Sequence, residues 1–199
     1  MWTAPTGILR RCATVTAMLA LAACSSAGGA GSDRDISRWS WLAEDGGTYW
    51  YVPAENLQAF AWQTDAPQAA SSIDDQTVWH IDRYENGYFF GSVVAKFVGY
   101  PRQCQYMIAS VTPDGRVYAT FNQLQAIPDG TPALTTGIGQ MVRADGEWTF
   151  NMQMASGSSS SQVTHWAFML QCAPDAPCWS DLPGVDESIP ELLASCNAT

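Results

Sequence analysis

The chain has 199 residues, nine tryptophans, six cysteines and a formal net charge of −10. Nineteen acidic residues against nine basic ones disfavour nucleic acid, whose phosphate contacts need cations, and adhesion of the chain's own surface to anionic headgroups. Charged residues are sparse at 14% while aromatic ones reach 12%, and the length suffices for one domain that buries roughly 70% of its unfolded surface.

The chain opens with a short positive region, Arg10-Arg11, followed by an apolar run from Cys12 to Ala23 and the small-residue sequence Leu21-Ala22-Ala23-Cys24. This resembles a bacterial lipoprotein signal with its lipobox. The run is shorter than the roughly 20 apolar residues that span a bilayer, and an ordinary secretory peptide has no need of cysteine at that place. The resemblance implies that residues 1–23 are removed and that the thiol and new amino terminus of Cys24 are acylated, which anchors the protein to a membrane surface. Ser25 stands where lipoproteins retained at the inner membrane carry Asp, so the same resemblance implies the outer membrane, facing the periplasm. Losing two of nine basic residues and no acidic one brings the charge to 7 − 19 = −12. Residues 24–38, with Gly28, Gly29 and Gly31, read as a flexible tether, and residues 39–199 as the domain.

Within the domain, period-two alternation predicts strands. Thr48 to Val52 is the first, stopped by Pro53; Leu57 to Trp62 reads as a short strand or a helical turn, and Asp65 to Asp75 as a loop. Gln76–Tyr84 and Tyr88–Val98 flank Asn86-Gly87, a strong hairpin signal, with Gly91 marking a bulge or bend. Cys104–Thr112 and Arg116–Gln123 flank Pro113-Asp114-Gly115, and Leu124–Thr135 is a longer loop. Thr136–Arg143 and Glu147–Met154 flank Asp145-Gly146, and Gln162–Gln171 is the last strand. Ser188-Ile189-Pro190-Glu191 is a capping box that opens a helix through Ala194.

About eight strands joined to their sequence neighbours by tight turns predict an all-β fold: an antiparallel up-and-down meander, closed into a barrel to manage its edges, with a short C-terminal helix and a sandwich as the alternative. In strand number and hairpin order it is similar to the calycin superfamily, the lipocalins and avidins. Lipocalins place Gly-x-Trp in the first strand, where this chain has the one-residue-longer Gly47-Thr48-Tyr49-Trp50. Once the leader is removed and Cys24 lipidated, four cysteines remain. Of the three pairings they allow, Cys172 with Cys178 and Cys104 with Cys196 is favoured, since the first closes a proline-bent loop and the second staples the C-terminal segment to the barrel. A metal site lacks both C-x-x-C spacing and a nearby histidine.

Three groups of residues could carry function. Trp148, Phe150, Met152 and Met154 share one face of a strand and, with Phe121, either fill the barrel or line a pocket for one small apolar or aromatic ligand. His80 and Asp82 share a face and would form a polar pair, able to orient a ligand or act in hydrolysis, if that face points inward; alternation with Trp79 and Ile81 favours the outward case. His165 lies on a strand with no polar face, which predicts cover on both sides. Tyr49, Tyr51, Trp62 and Trp179, with the acidic surface, would anchor a basic protein partner if the domain is an inhibitor or assembly factor. No catalytic signature or cofactor motif is present. The reading is therefore a non-enzymatic envelope lipoprotein. A palmitate analogue should label the full chain and not Cys24→Ser, which should fractionate as soluble protein; label retained by the variant would contradict the anchor.

Overall fold

The structure, a computed structural model, describes residues 35–196; the expected leader 1–23, Cys24 and the tether as far as residue 34 lie outside the described residues. Nine strands form: β1 Thr48–Tyr51, β2 Gln58–Gln63, β3 Ala66–Glu85, β4 Tyr88–Phe97, β5 Gln103–Val111, β6 Arg116–Gln123, β7 Ala133–Ala144, β8 Glu147–Gly157 and β9 Ser161–Cys172. Consecutive strands from β3 to β9 pair antiparallel, and closure comes from β1 and β2. Those two share one position in an eight-position barrel. β2 bridges the first half of β3 to the start of β9, and β1 bridges the second half of β3 to the end of β9.

The turns behave as their residues dictate. Asn86-Gly87 and Asp145-Gly146 all adopt positive φ, at 50° and 86° and at 52° and 91°, the geometry of the tight hairpin turns that match strand twist. Gly91 faces a register shift between Ile81 and Arg83, and a Cβ there would lie 2.0 Å from the carbonyl oxygen of His80. The glycine is required because the bulge at Asp82 drives β3 against β4.

Two stretches depart from expectation. The segment read as a loop, Asp65 to Asp75, is instead strand from Ala66 onward and pairs with β2 from Gln63↔Ala66 to Gln58↔Asp74. Its alanines and serines are exposed on nearly every position, so no alternation reveals the strand, and its partner supplies the order. Ahead of β1, a 3-10 helix spans Ile36–Gly46, capped by the Asp35 side chain accepting from the Ser37 N–H and broken at Glu44 and Asp45. It buries Trp39 and Leu42 against the tight-turn end of the barrel, where the Trp39 indole N–H donates to the Thr112 carbonyl at 2.9 Å and the ring meets Trp148 edge-on at 4.9 Å. The helix closes that end.

The C-terminal segment packs on the outside of β1, β3 and β4. It carries two short helices, α1 Pro177–Ser180 and α2 Ile189–Ala194, and Leu182 between them packs with Ile189 and Leu192 of α2 onto Val78 and Val94. The capping box of α2 forms as expected, Ser188 Oγ accepting from the Glu191 N–H and Glu191 Oε2 from the Ser188 N–H. The cysteines pair as favoured, Cys104 with Cys196 and Cys172 with Cys178, so both ends of the segment are fastened. No helix of the described residues is long and apolar enough to cross a membrane.

Gly91→Ala should cost more than about 3 kcal/mol or prevent folding, because backbone has to move. Gly99→Ala, where a Cβ meets nothing within 4 Å at φ +85°, should cost only the roughly 1–2 kcal/mol of a left-handed residue. Urea denaturation checks both, and equal costs would contradict the bulge contact.

Candidate functional site

Alternation aims one side chain in two at the barrel axis. Trp148, Phe150, Met152 and Met154 of β8 share the inner face as read, and Phe121 of β6 joins them. All but the half-buried Trp148, which lies at the plugged end, are buried. Phe150 is the hub, with Trp50, Trp79 and Phe89 ring centroids at 4.5, 5.2 and 5.7 Å. Gly137 makes room for the chain above it, since a Cβ there would stand 3.2 Å from Met152 Cε. These side chains close on one another in the middle of the barrel.

The end opposite the 3-10 helix is different. Trp79 on β3, Val93 on β4, Gln105 on β5 and Gln123 on β6 are successive register partners, so they form one inner row, with Gln103 two residues further along β5. Six polar atoms of this group, Trp79 Nε1, both amide atoms of Gln103, Oε1 of Gln105 and both amide atoms of Gln123, are buried without a hydrogen-bond partner among the described residues. Only the Gln105 Nε2 is spoken for, donating to the Leu134 carbonyl at 2.7 Å. A buried polar atom left unpaired costs roughly 1–3 kcal/mol, so these six, on neighbouring inner positions, are atoms that a water or a bound molecule would stabilise by pairing. The set carries three donor groups and three acceptors and no charge.

A second polar group fills the gap between β1 and β2. There the single 3-10 turn Ala54–Asn56 replaces strand, and side chains supply the missing ladder. The Gln76 amide accepts from the Val52 N–H and donates to the Val52 carbonyl, both at 2.9 Å, and Asn56 Oδ1 accepts from the Phe168 N–H. His165, 2% exposed and inward on β9, sets Nδ1 2.8 Å from Asp75 Oδ2 and Nε2 2.8 Å from the Asn56 carbonyl oxygen. Thr77 Oγ1 donates to the other Asp75 oxygen at 2.9 Å. Both imidazole nitrogens face acceptors, so the ring satisfies both only when it carries a proton on each. Burial pushes its pKa down, but the hydrogen bond and charge of Asp75, with the Asn56 carbonyl, outweigh that and leave it raised. His165 is thus fully engaged in holding the split strand.

His80 and Asp82 point outward, as alternation favours, and so are not brought together with the aromatic interior. The His80 Nε2 lies 3.0 Å from the Gly46 carbonyl oxygen and its ring stacks on Tyr49 at 4.2 Å and 5°. Tyr49 in turn meets Trp179 edge-on at 4.7 Å, so these aromatics help seat the C-terminal segment. Burial raises the Tyr49 hydroxyl pKa, aided by the charge of Asp82. The last strand is covered on its inner side alone at mid-length: Trp166 stands 58% exposed on the outer face, because the C-terminal segment lies elsewhere. Among the described residues no three His, Cys, Asp or Glu side chains gather as metal ligands.

Trp79, Gln103, Gln105 and Gln123 were not among the sequence candidates, although Gln103-x-Gln105-x-Met107 carries the alternation that places them. The Asp75–His165 pair spans 90 residues, and no local pattern joins it. No protein-family model, curated protein or solved structure matches the chain, so its likeness to calycins rests on barrel architecture alone.

A raised folded-state pKa means that His165 contributes stability fully below its unfolded value of about 6.5 and loses that contribution as pH rises through the folded value. Denaturant midpoints should therefore fall as pH rises above 6.5. His165→Gln should cost about 3–5 kcal/mol at pH 6 and flatten that fall; an unchanged slope in the variant would contradict the assignment.

Proposed function

We propose that the protein is a non-enzymatic, lipid-anchored component of a bacterial envelope whose barrel binds one small molecule at the end opposite the 3-10 helix. The observation that carries this reading is the set of six unpartnered polar atoms on Trp79, Gln103, Gln105 and Gln123. Their surroundings are apolar and aromatic, with Phe121 at 6.0 Å from Trp79, so the fitting ligand is largely apolar or aromatic with one uncharged head that both donates and accepts hydrogen bonds. Met152 and Met154, flexible and polarisable, give the neighbouring core the freedom to adjust around its tail. A binding role without catalysis is supported by the engagement of both histidines, His80 on the outer face and His165 in the strand gap. Residues 1–24 support the envelope location through their lipobox.

Native mass spectrometry of the full chain, extracted in mild detergent from the producing cell's membrane, tests this. An excess mass of a small organic molecule that disappears on denaturation is the expected result. Gln103→Leu and Gln123→Leu should each lose that mass while raising ligand-free stability by about 1–2 kcal/mol, since an unpaired amide gives way to an apolar group of similar size. A clean mass for the unaltered chain would contradict the reading. In that case a basic protein partner, held through the acidic surface and released by high salt, becomes the better account.

A further inference from the structure

The C-terminal segment covers the barrel's outer side over β1, β3 and β4 and leaves the side formed by β6 to β9 open. This open face differs from the rest of an acidic chain. Its outward positions are amide, hydroxyl and aromatic or apolar residues, and the charged ones are Arg116 and Glu147, both towards the tight-turn end, with Arg116 paired to Asp114 at 3.0 Å. Register aligns Tyr118, Ile138, Gln153 and Trp166 in one row across four strands, with Tyr118, Ile138 and Trp166 each more than half exposed.

Trp166 is held as a fixed wall. Its indole N–H donates to Asn151 Oδ1, so the polar edge of the ring is satisfied and the apolar surface is what it presents. A shallow cleft of about 520 Å³ on one side is lined by Arg116, Ile138, Gln140, Asn151 and Gln153. A second, of about 530 Å³ on the other side, is lined by Glu55, Asn56, Gln58, Phe60 and Thr164.

The charge balance narrows what can lie there. Nucleic acid and anionic lipid both need several cations, and the face offers one, Arg116, already paired to Asp114. A basic partner needs several carboxylates, and those near the face are Glu55 at the second cleft and Glu147 at the tight-turn end. A second copy would bring another acidic chain, of net −10, against this one. What complements a neutral surface of aromatic rings and amides is a neutral polyhydroxyl chain: the C–H faces of its rings meet the negative face of an aromatic ring, and its hydroxyls donate to and accept from the amides. We propose that the outer face of β6 to β9 binds an uncharged glycan strand, with a sugar ring stacked on Trp166 and neighbouring hydroxyls held by Gln140 and Gln153.

Isothermal titration of the full chain in detergent with cellohexaose, chitohexaose and mannohexaose, and with a hyaluronan oligosaccharide as acidic control, tests this. At least one neutral oligosaccharide should bind, with an affinity that changes less than about twofold between ~50 mM and ~500 mM salt. Trp166→Ala should weaken it at least ~10-fold, and Gln153→Ala by several-fold, with unfolding midpoints unchanged because both side chains are exposed. Gln103→Leu should leave glycan binding intact, which separates this site from the barrel interior. The proposal is overturned if no neutral oligosaccharide binds, if Trp166→Ala binds as well as the unaltered chain, if the acidic oligosaccharide binds best and salt releases it, or if sedimentation shows that Trp166→Ala abolishes self-association instead.

Discussion

Closure of the barrel is the constraint on which the rest depends. A meander of this length has two edges, and each would expose a row of unpaired backbone groups. The chain closes by giving β3 twenty residues, enough to pair with β4 along one half and with β2 along the other, while β1 completes the same position higher up. The cost is a gap between β1 and β2 where backbone pairing stops. Asn56, Asp75, Gln76 and His165 fill it with side-chain hydrogen bonds. That explains why the most polar part of the interior is structural: a closed barrel built from a split strand has to satisfy backbone groups with side chains or leave them buried and unpaired.

The fold was legible where period-two alternation coincided with turn chemistry. Glu147 to Met154 sends Trp148, Phe150, Met152 and Met154 to one face, and Asn86-Gly87 and Asp145-Gly146 leave little choice of connection. Legibility failed where order comes from a partner. Ala66 to Asp74 has no pattern of its own, and the 3-10 helix of Ile36–Gly46 shows only Trp39 and Leu42, three residues apart, which is one face of a helix with three residues per turn. The cysteine pairing could be argued from which segments needed fastening, and the structure fastens those.

The candidate site was legible in part. Aromatic and methionine positions on β8 follow from alternation, yet alternation does not say whether facing side chains meet or leave room between them. In the structure those near Phe150 meet. The chemically unfinished region is displaced towards Gln103, Gln105 and Gln123, residues that look unremarkable in sequence because glutamine is usually a solvent-facing residue. Trp166 presents the opposite case, an aromatic residue on a strand that reads as doubly covered and is open on one side. The interior thus holds a small mixed set of unpaired donors and acceptors, and the outer face of β6 to β9 exposes Tyr118, Ile138 and Trp166.

The central claim is that the buried amides at the end of the barrel find their partners in a bound molecule. A high-resolution crystal structure of the full chain, purified without a denaturation step, tests this at the atoms concerned. Continuous density for one small molecule, with polar atoms within hydrogen-bond distance of Trp79 Nε1 and the amides of Gln103 and Gln123, is the result this account expects. Separate water peaks at those atoms, or glutamine side chains turned to partners within the protein, would contradict it.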